Sequence, residues 1–212
     1  MQQGMQQGMR VGMLVLASTL GLASASEPTS DYLHAERQYY AVISTSLRAG
    51  VCSLRGDAVL QAQKRLAETV GKLSATAGPR VLLFAVSAND VDSARRLLAA
   101  GAPRVGDQGT LLHVAARFGD APLLEVLTNA GFGLEEHGEA SGSPLFVAVE
   151  SNRPENVAWL TRHGANANAV DSAGVPVLRH AMVCGNREVI RHLITAGARI
   201  DPRTRAFLDG QP

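Results

Sequence analysis

One histidine, His113, lies within the apolar run TLLHVAARFGD, which covers residues 110–120. Histidine can act as a general acid or base, bind a metal ion, or hold a loop in place through its ring nitrogens. A chemical role would require suitable partner residues elsewhere in the chain. The choice between a chemical and a structural histidine therefore depends on the rest of the sequence.

His180, Cys184 and His192 form a candidate metal site near the C-terminus. His180 and Cys184 are four residues apart, so a helix would place both on one face at a spacing that suits a metal ion. No paired motif such as C-x-x-C accompanies them. We therefore favour the interpretation that these residues form a polar end of the fold with a surface thiol, rather than a metal site. We expect no cofactor. A metal- or small-molecule-responsive sensor built on these three residues is the alternative function.

Signals for catalysis are weak throughout the chain. Glu135 and Glu136 are adjacent carboxylates, but their loop setting favours solvated side chains over an acid/base pair. The sequence contains no nucleophile-elbow motif, and no glycine-rich phosphate loop follows a strand. These patterns predict a protein that is not an enzyme.

The composition favours closely packed helices. Hydrophobic residues make up 46% of the 212 residues, aromatic residues make up only 4%, and alanine is abundant. Strands would need more β-branched and aromatic residues. The formal net charge is +1, without a basic tail or a stripe of lysine and arginine, so we expect no nucleic acid partner. We expect the protein to be a monomer.

Residues 1–25 have the order of features found in a secretory signal peptide. Arg10 precedes the apolar stretch at 11–23, and Ala23 and Ala25 form a small-x-small cleavage site. The apolar stretch has about 13 residues, whereas a membrane-spanning helix needs roughly 20. We expect cleavage, export without stable membrane insertion and, because arginine greatly outnumbers lysine, a bacterial periplasm. An uncleaved anchor is the alternative.

Two kinds of stretch recur between residues 80 and 197. The first ends in a glycine, and successive glycines are 30, 33 and 33 residues apart: Gly101, Gly131, Gly164 and Gly197. The second lies upstream of each glycine, at residues 80–86, 110–116, 143–149 and 176–182. A period near 33 residues indicates a repeat array, in which each unit buries its apolar face against its neighbours.

Each unit is predicted to contain a helix, a turn, a second helix and a loop. The first helix is followed by a residue type that tolerates a positive φ: Asn89, Gly119, Asn152 or Gly185. In the second unit Asp120 comes next, where its side chain is expected to cap the second helix.

The units resemble the ankyrin repeat, whose pattern is Thr-Pro-Leu-His-x-Ala-Ala, a glycine, a second helix, and Gly-Ala before a turn. In the second unit the matching residues are Thr110, Leu112, His113, Ala115, Ala116 and Gly119. The resemblance covers about residues 77–203. It implies an all-α ankyrin-repeat solenoid of about four helix-turn-helix repeats, at 77–106, 107–139, 140–170 and 171–203. It also implies that His113 is structural and bonds loop backbone groups.

The resemblance further implies a binding module, because members of the family recognise protein partners through loop tips and the exposed ends of their first helices. Mapped onto this chain, that concave surface predicts eight partner-binding residues: Asp107, Arg117, Phe118, Glu139, Glu150, Ser151, Ser172 and Val183. Phe118 beside Arg117 is the leading candidate, since aromatic and arginine side chains dominate interface energetics. The alternative is that Phe118 packs against its neighbours.

The two ends of the array require covering segments. Residues 26–76 contain two helical patterns, which we expect to cap the apolar edge of the first repeat; a separate partner-binding hairpin is the alternative. The chain after Asp201 is expected to form a partial cap and, at residues 204–212, a frayed tail. Cys52 and Cys184 would then lie three repeat steps apart, about 25–30 Å, so we expect no disulfide between them.

Together, these patterns predict an exported ankyrin-repeat protein that binds a protein partner non-covalently through its concave surface. Inhibition of that partner and its protection in the cell envelope are the two roles that we expect such binding to serve.

Overall fold

The structure is a computed structural model of the chain. It describes residues 57–70, 81–102, 108–136, 142–171 and 173–210, together with residues 34, 37–39, 41 and 42.

Ten helices have described bounds. In chain order they are α1 (Asp57–Val70), α2 (Val81–Ser87), α3 (Val91–Ala99), α4 (Gln108–Phe118), α5 (Ala121–Asn129), α6 (Pro144–Glu150), α7 (Pro154–Arg162), α8 (Val177–Cys184), α9 (Arg187–Thr195) and α10 (Pro202–Asp209). Residues 37–39 are also helical. The described residues contain isolated bridges, such as the one between Val170 and Pro176, but no β-strand. The predicted all-α class is confirmed.

Helices α2 to α9 form four stacked helix pairs. The first members of the pairs (α2, α4, α6 and α8) pack in an inner row, and the second members (α3, α5, α7 and α9) pack in an outer row. Inner helices meet neighbours on several sides, and every residue of α2 is buried. Outer helices bury one stripe, such as Leu123, Leu124 and Leu127 of α5. This is the predicted ankyrin solenoid.

Alanine side chains let the inner helices approach closely. Ala85, Ala115, Ala148 and Ala181 occupy the same place in the four inner helices, and each has no exposed surface. Larger side chains there would force neighbouring helices apart, because protein interiors are close-packed. This packing explains the abundance of alanine and the scarcity of aromatic residues.

Three of the four inner helices are followed by a residue with positive φ, as predicted. These residues are Asn89 (φ 55°), Asn152 (φ 53°) and Gly185 (φ 66°). The same prediction for Gly119 is wrong, since Gly119 is not among the residues with positive φ. A Cβ atom there would lie 2.8 Å from both the Ala115 carbonyl oxygen and Leu123 Cδ2, so glycine is required for close packing.

Asp120 begins α5, but the prediction that its side chain caps this helix is wrong. Its carboxylate instead accepts hydrogen bonds from Asn89 at 2.8 Å and from Arg153 Nη2 at 2.7 Å. Arg153 and Asn156 are both buried, and both donate to the carbonyl of Gly119 at the end of the preceding inner helix. These side chains link the turns of three successive repeats and satisfy buried backbone acceptors.

His113 has the structural role that the resemblance implied. Its Nε2 atom lies 2.8 Å from the carbonyl oxygen of Gly142, and the residue is buried. Gly142 has φ 58° and lies in the loop that leads into the third repeat. The histidine therefore fixes the backbone of the next loop, and this contact confirms the prediction.

The C-terminal end of the array is covered by helix α10, so the expectation of a frayed tail at 204–212 is wrong for residues up to 209. Asp201 caps this helix by accepting from the Thr204 backbone N–H at 2.6 Å, and Pro202 occupies its first turn. Thr204 is buried, and Leu208 packs half-buried against the core. A capped start and an apolar contact give this short segment its helical structure.

At the other end of the array, α1 covers the first repeat, as predicted. Leu66 and Val70 of α1 have no exposed surface, and this helix packs against α2. The first repeat has no preceding repeat to cover its apolar face, and these two buried side chains cover it instead.

The prediction that Cys52 and Cys184 do not form a disulfide is wrong. Cys184 is disulfide-bonded, and the chain's other cysteine, Cys52, lies outside the described residues. The prediction assumed that the N-terminal helices contact only the edge of the first repeat. Gln63 of α1 bonds to backbone carbonyls of both the first and the second repeat, so α1 extends along the array.

Candidate partner-binding surface

The C-terminal ends of the inner helices form a row, because the repeats stack in register. We call this row the inner-helix ends; it consists of Ser87 and Ala88, Arg117 and Phe118, Glu150 and Ser151, and Val183 and Cys184. Five of the eight predicted partner-binding residues belong to it.

Part of this row is covered by the N-terminal part of the same chain. We call the covering segment the strap; it consists of residues 37–39 and α1. The Tyr39 hydroxyl donates to the Ser87 carbonyl oxygen at 3.1 Å. Gln63 Nε2 donates to the same oxygen at 3.1 Å and to the Phe118 carbonyl oxygen at 3.0 Å. Carbonyls at a helix C-terminus lack partners within the helix, and the strap supplies partners to two of them.

Phe118 and Arg117 are consequently half-buried. The Phe118 ring meets the Tyr39 ring edge to face, with ring centroids 5.9 Å apart. Burial lowers the pKa of Arg117, while the charges of Glu150 and Tyr39 act in the opposite direction. The sequence predicted that Phe118 contacts a partner protein. In the structure, the strap of the same chain contacts Phe118.

A chain of ionisable side chains continues along the third and fourth repeats. His180 Nε2 lies 3.0 Å from Asp171 Oδ2, and its Nδ1 lies 3.7 Å from Glu150 Oε1. Burial raises the pKa of Glu150, and the charges of His180 and Arg117 offset part of this increase. His180 is held between the two carboxylates, and its ring also packs edge to face on Phe146, with centroids 5.2 Å apart.

Asp171 has a pKa below its ordinary value. Partial burial acts to raise this pKa, but hydrogen bonds from the Val175 N–H, from His180 and from the Ala173 N–H outweigh that effect. Both backbone N–H groups donate to Asp171 Oδ1, at 2.8 Å and 2.9 Å. The carboxylate therefore orders the turn that enters the fourth repeat and orients His180.

The remaining predicted residues differ in accessibility. Val183 is 75% exposed, whereas Ser151 is only 2% exposed. The structure therefore contradicts the prediction of Ser151 as a surface contact, because this residue follows α6 and is enclosed by the turn. Asp107, Glu139 and Ser172 lie outside the described residues and stay predictions.

The candidate metal set of His180, Cys184 and His192 is not supported. Cys184 is disulfide-bonded and has no thiolate to offer a metal ion. His180 bonds to Asp171, whereas His192 lies on α9 at 3.7 Å from Glu188. Among the described residues, no group of three or more His, Cys, Asp or Glu side chains is arranged to hold a metal ion.

Sequence reasoning missed the contribution of Tyr39 and Gln63 to this surface. Neither residue belongs to a repeat, and neither spacing nor motif marks it. The apolar face of α1 was recognisable from the sequence, but which carbonyls its polar side chains reach depends on how α1 packs. The disulfide was missed for the same reason.

Family models agree with this architecture. A model of ankyrin repeats in three copies matches residues 112–204, and a model of ankyrin repeats in many copies matches residues 82–128. The chain belongs to the ankyrin-repeat family, whose repeats act as scaffolds for protein–protein interaction.

Three curated relatives that are similar to part of this chain carry names that describe three different kinds of protein. An ADP-ribosylation factor GTPase-activating protein of Arabidopsis thaliana is 34% identical over 46% of this chain and 13% of its own length. A transient receptor potential cation channel homolog of Caenorhabditis elegans is 35% identical over 43% of this chain and 8% of its own. A B-cell lymphoma 3 protein homolog of Mus musculus is 37% identical over 42% of this chain and 20% of its own. The chain thus spans a minor part of each relative.

None of the helices in the described part of the chain is both long and apolar enough to cross a membrane.

Proposed function

We propose that this chain is an exported, monomeric, non-enzymatic ankyrin-repeat protein that binds a protein partner through its inner-helix ends. One observation carries the proposal: this surface already holds a polypeptide segment. The strap binds it through two backbone carbonyls and one ring contact. Helix-end carbonyls in a regular row, flanked by half-buried side chains, suit a helical segment of another protein.

Val183 is the candidate anchor for the partner. It is one of three large hydrophobic residues that are exposed within the described part of the chain, together with Leu60 and Val170. Unlike those two, it lies on the inner-helix ends, one turn along α8 from the polar side chain of His180. An apolar side chain beside polar groups is the usual composition of an interface.

Binding at Val183 is tested by affinity capture from the cell envelope of the source organism. The baits are the wild-type chain, Val183→Asp, and Val170→Asp as a matched control, since Val170 is 49% exposed but lies in a loop. We expect wild type and the control to retain the same protein, and Val183→Asp to retain at least tenfold less. Equal recovery by all three would place binding elsewhere, and recovery of no protein would contradict the binding function.

We propose inhibition or protection of the captured partner as the role of this binding. Assays of the partner's own activity and of its half-life, with and without the chain, separate the two. Lower activity would indicate inhibition, and a longer half-life at unchanged activity would indicate protection.

Export to an oxidising compartment, the bacterial periplasm, is the proposed localisation. The disulfide at Cys184 supports this proposal, because disulfides persist mainly outside the reducing cytosol. Mass spectrometry of the intact protein from the envelope fraction tests it. We expect a chain that begins at Ser26, and a mass that retains residues 1–25 would contradict cleavage.

A further inference from the structure

The two ring nitrogens of His180 face two different carboxylates. Nε2 lies 3.0 Å from Oδ2 of Asp171, in the loop that enters the fourth repeat. Nδ1 lies 3.7 Å from Oε1 of Glu150, the last residue of α6 in the third repeat. The ring packs edge to face on Phe146 of the same helix. His180 therefore connects the third repeat with the fourth.

Only one of these two contacts is favourable when the ring is neutral. A neutral imidazole has one nitrogen that donates and one that accepts, whereas an ionised carboxylate only accepts. Asp171 lies at hydrogen-bond distance, so we assign the single ring proton to Nε2. Nδ1 then presents a lone pair to the carboxylate of Glu150, and the two groups repel. A second proton on the ring makes both nitrogens donors and replaces this repulsion by an ion pair.

The two helices that pack against α8 are α6 and α9. Glu150 is the only titratable residue of α6. The buried face of α9 is apolar. In the described part of the chain, no ion pair or hydrogen bond joins His180 to the four ionisable residues of α9, which are Arg187, Glu188, Arg191 and His192. The ring therefore interacts with one carboxylate from α6 and one from the loop.

The remaining ionisable groups nearby have other partners. Arg179 on α8 bonds to the carboxylate that caps α10. Cys184 is disulfide-bonded and does not titrate. The charge of Arg117 on α4 acts on Glu150, but within the described residues no hydrogen bond joins the two. In this part of the chain, the ion-pair partner of Glu150 is therefore His180.

The burial of Glu150 increases the effect of a proton on His180. Burial raises the pKa of Glu150, because its charged form is poorly solvated there, and the charge of His180 acts in the opposite direction. A poorly solvated carboxylate gains more from a neighbouring cation than an exposed one does. The interaction between these two side chains should therefore depend strongly on the second ring proton.

We propose that His180 is a proton-operated clamp between the ends of the third and fourth inner helices. With two ring protons, His180 holds both Glu150 and Asp171. When Nδ1 loses its proton, the bond to Asp171 stays and the Glu150 carboxylate is released. Val183 lies one turn along α8 from His180, so the clamp changes the charge of the surface beside Val183. The effect on a partner rests on the proposed function, but the clamp itself requires no partner.

Nitrogen-15 NMR of the histidine rings in the full wild-type chain tests the clamp. Spectra are recorded at about pH 5.5 and about pH 8.5, on either side of the range in which histidine side chains change charge. The ring of His180 is assigned by its Overhauser contact with Phe146. We expect protons on both ring nitrogens at the lower pH and on Nε2 alone at the higher pH. An unchanged protonation state, or a neutral ring with its proton on Nδ1, would overturn the proposal.

A double-mutant cycle measures whether the Glu150 contact follows the proton. Urea unfolding of wild type, Glu150→Gln, His180→Gln and the double variant gives the coupling between the two residues at both pH values. We expect a favourable coupling of at least about fivefold in the unfolding constant at the lower pH, and its loss at the higher pH. The matched cycle of His180→Gln with Asp171→Asn is the control, and its coupling should persist at both pH values. A Glu150 coupling that does not change with pH would also overturn the clamp.

This design separates the clamp from the binding function. The NMR experiment needs no variant, so it remains decisive if a variant of the cycle does not fold. Its failure leaves partner capture unaffected. A ring that gains the second proton, in a chain that captures no protein at either pH, would instead retain the clamp and remove the binding function.

Discussion

At the scale of single residues, three buried polar side chains of the array serve the backbone. His113, Arg153 and Asn156 each bond a carbonyl oxygen that its own helix or loop leaves without a partner. Removal of such a side chain leaves a buried acceptor unsatisfied, which costs more than the loss of a surface contact. His113 is therefore a structural histidine rather than a catalytic one.

Replacement of His113 by alanine tests this role. We expect His113→Ala to lower the free energy of unfolding by about 1–3 kcal/mol, because the Gly142 carbonyl loses its donor. Urea denaturation followed by circular dichroism measures the effect. His192→Ala, at a half-exposed site on α9, is the control, and we expect a change of less than about 0.5 kcal/mol. Equal effects of the two substitutions would contradict the structural role.

The low pKa of Asp171 predicts a pH dependence. An acid whose pKa is lower in the folded than in the unfolded state stabilises the fold above its ordinary pKa, and this stabilisation is lost as pH falls through the folded pKa. We therefore expect Asp171→Asn to be less stable than wild type at pH 7, with the difference shrinking at about pH 3. Urea titrations at both pH values measure it. Asp92→Asn, with a 96% exposed side chain, is the control. A difference that is constant with pH would refute the assignment.

At the scale of secondary-structure elements, the residue after each inner helix meets one of two requirements: a backbone with positive φ, or close packing between helices. Asn89, Asn152 and Gly185 adopt positive φ. Gly119 instead allows α4 and α5 to approach closely. The four positions look equivalent in sequence, yet they should respond differently to substitution.

Gly119→Ala and Gly185→Asn test this distinction. We expect Gly119→Ala to cost about 1–3 kcal/mol of stability, since the new Cβ would lie 2.8 Å from a carbonyl oxygen and a leucine methyl. We expect Gly185→Asn to cost less than about 1 kcal/mol, because Gly185 has open space around it and asparagine tolerates positive φ. Thermal and urea unfolding compare the two variants. A reversed order would contradict the packing described here.

At the scale of the whole molecule, the disulfide changes how the array holds together. Repeat stacks derive their stability from contacts between neighbours, so their two ends are normally independent. Here Cys184, in the fourth repeat, is disulfide-bonded, and the chain's other cysteine, Cys52, precedes the first repeat in the sequence. Two cysteines this far apart in the sequence close a long loop when they pair, which restricts the unfolded chain and couples the ends of the array thermodynamically.

Reduction should therefore lower global stability. We expect a loss of about 2–5 kcal/mol, as is typical when a native disulfide is removed. Urea unfolding followed by the fluorescence of Trp159, the single tryptophan, measures it with and without dithiothreitol. The double variant Cys52→Ser, Cys184→Ser is the control and should not respond to the reductant. Identical unfolding curves for oxidised and reduced wild type would contradict the coupling.

The sequence by itself determined the repeat architecture. A glycine period near 33 residues, alanine in the inner helices, and His113 in its motif define local structure and contacts between adjacent repeats. Such contacts recur at fixed offsets, so a periodic pattern predicts them. The resemblance to the ankyrin repeat, rather than the period itself, implied the candidate surface at the ends of the inner helices.

Only the tertiary structure decided what covers that surface. The bonds from Gln63 to the Phe118 carbonyl and from Arg153 to Asp120 join positions that the repeat pattern does not pair in this way. The repeat pattern likewise does not mark Cys184 for the disulfide bond that it forms. Contacts of this kind depend on where a segment outside the repeats comes to lie, and this follows from the packing of α1 rather than from any local preference.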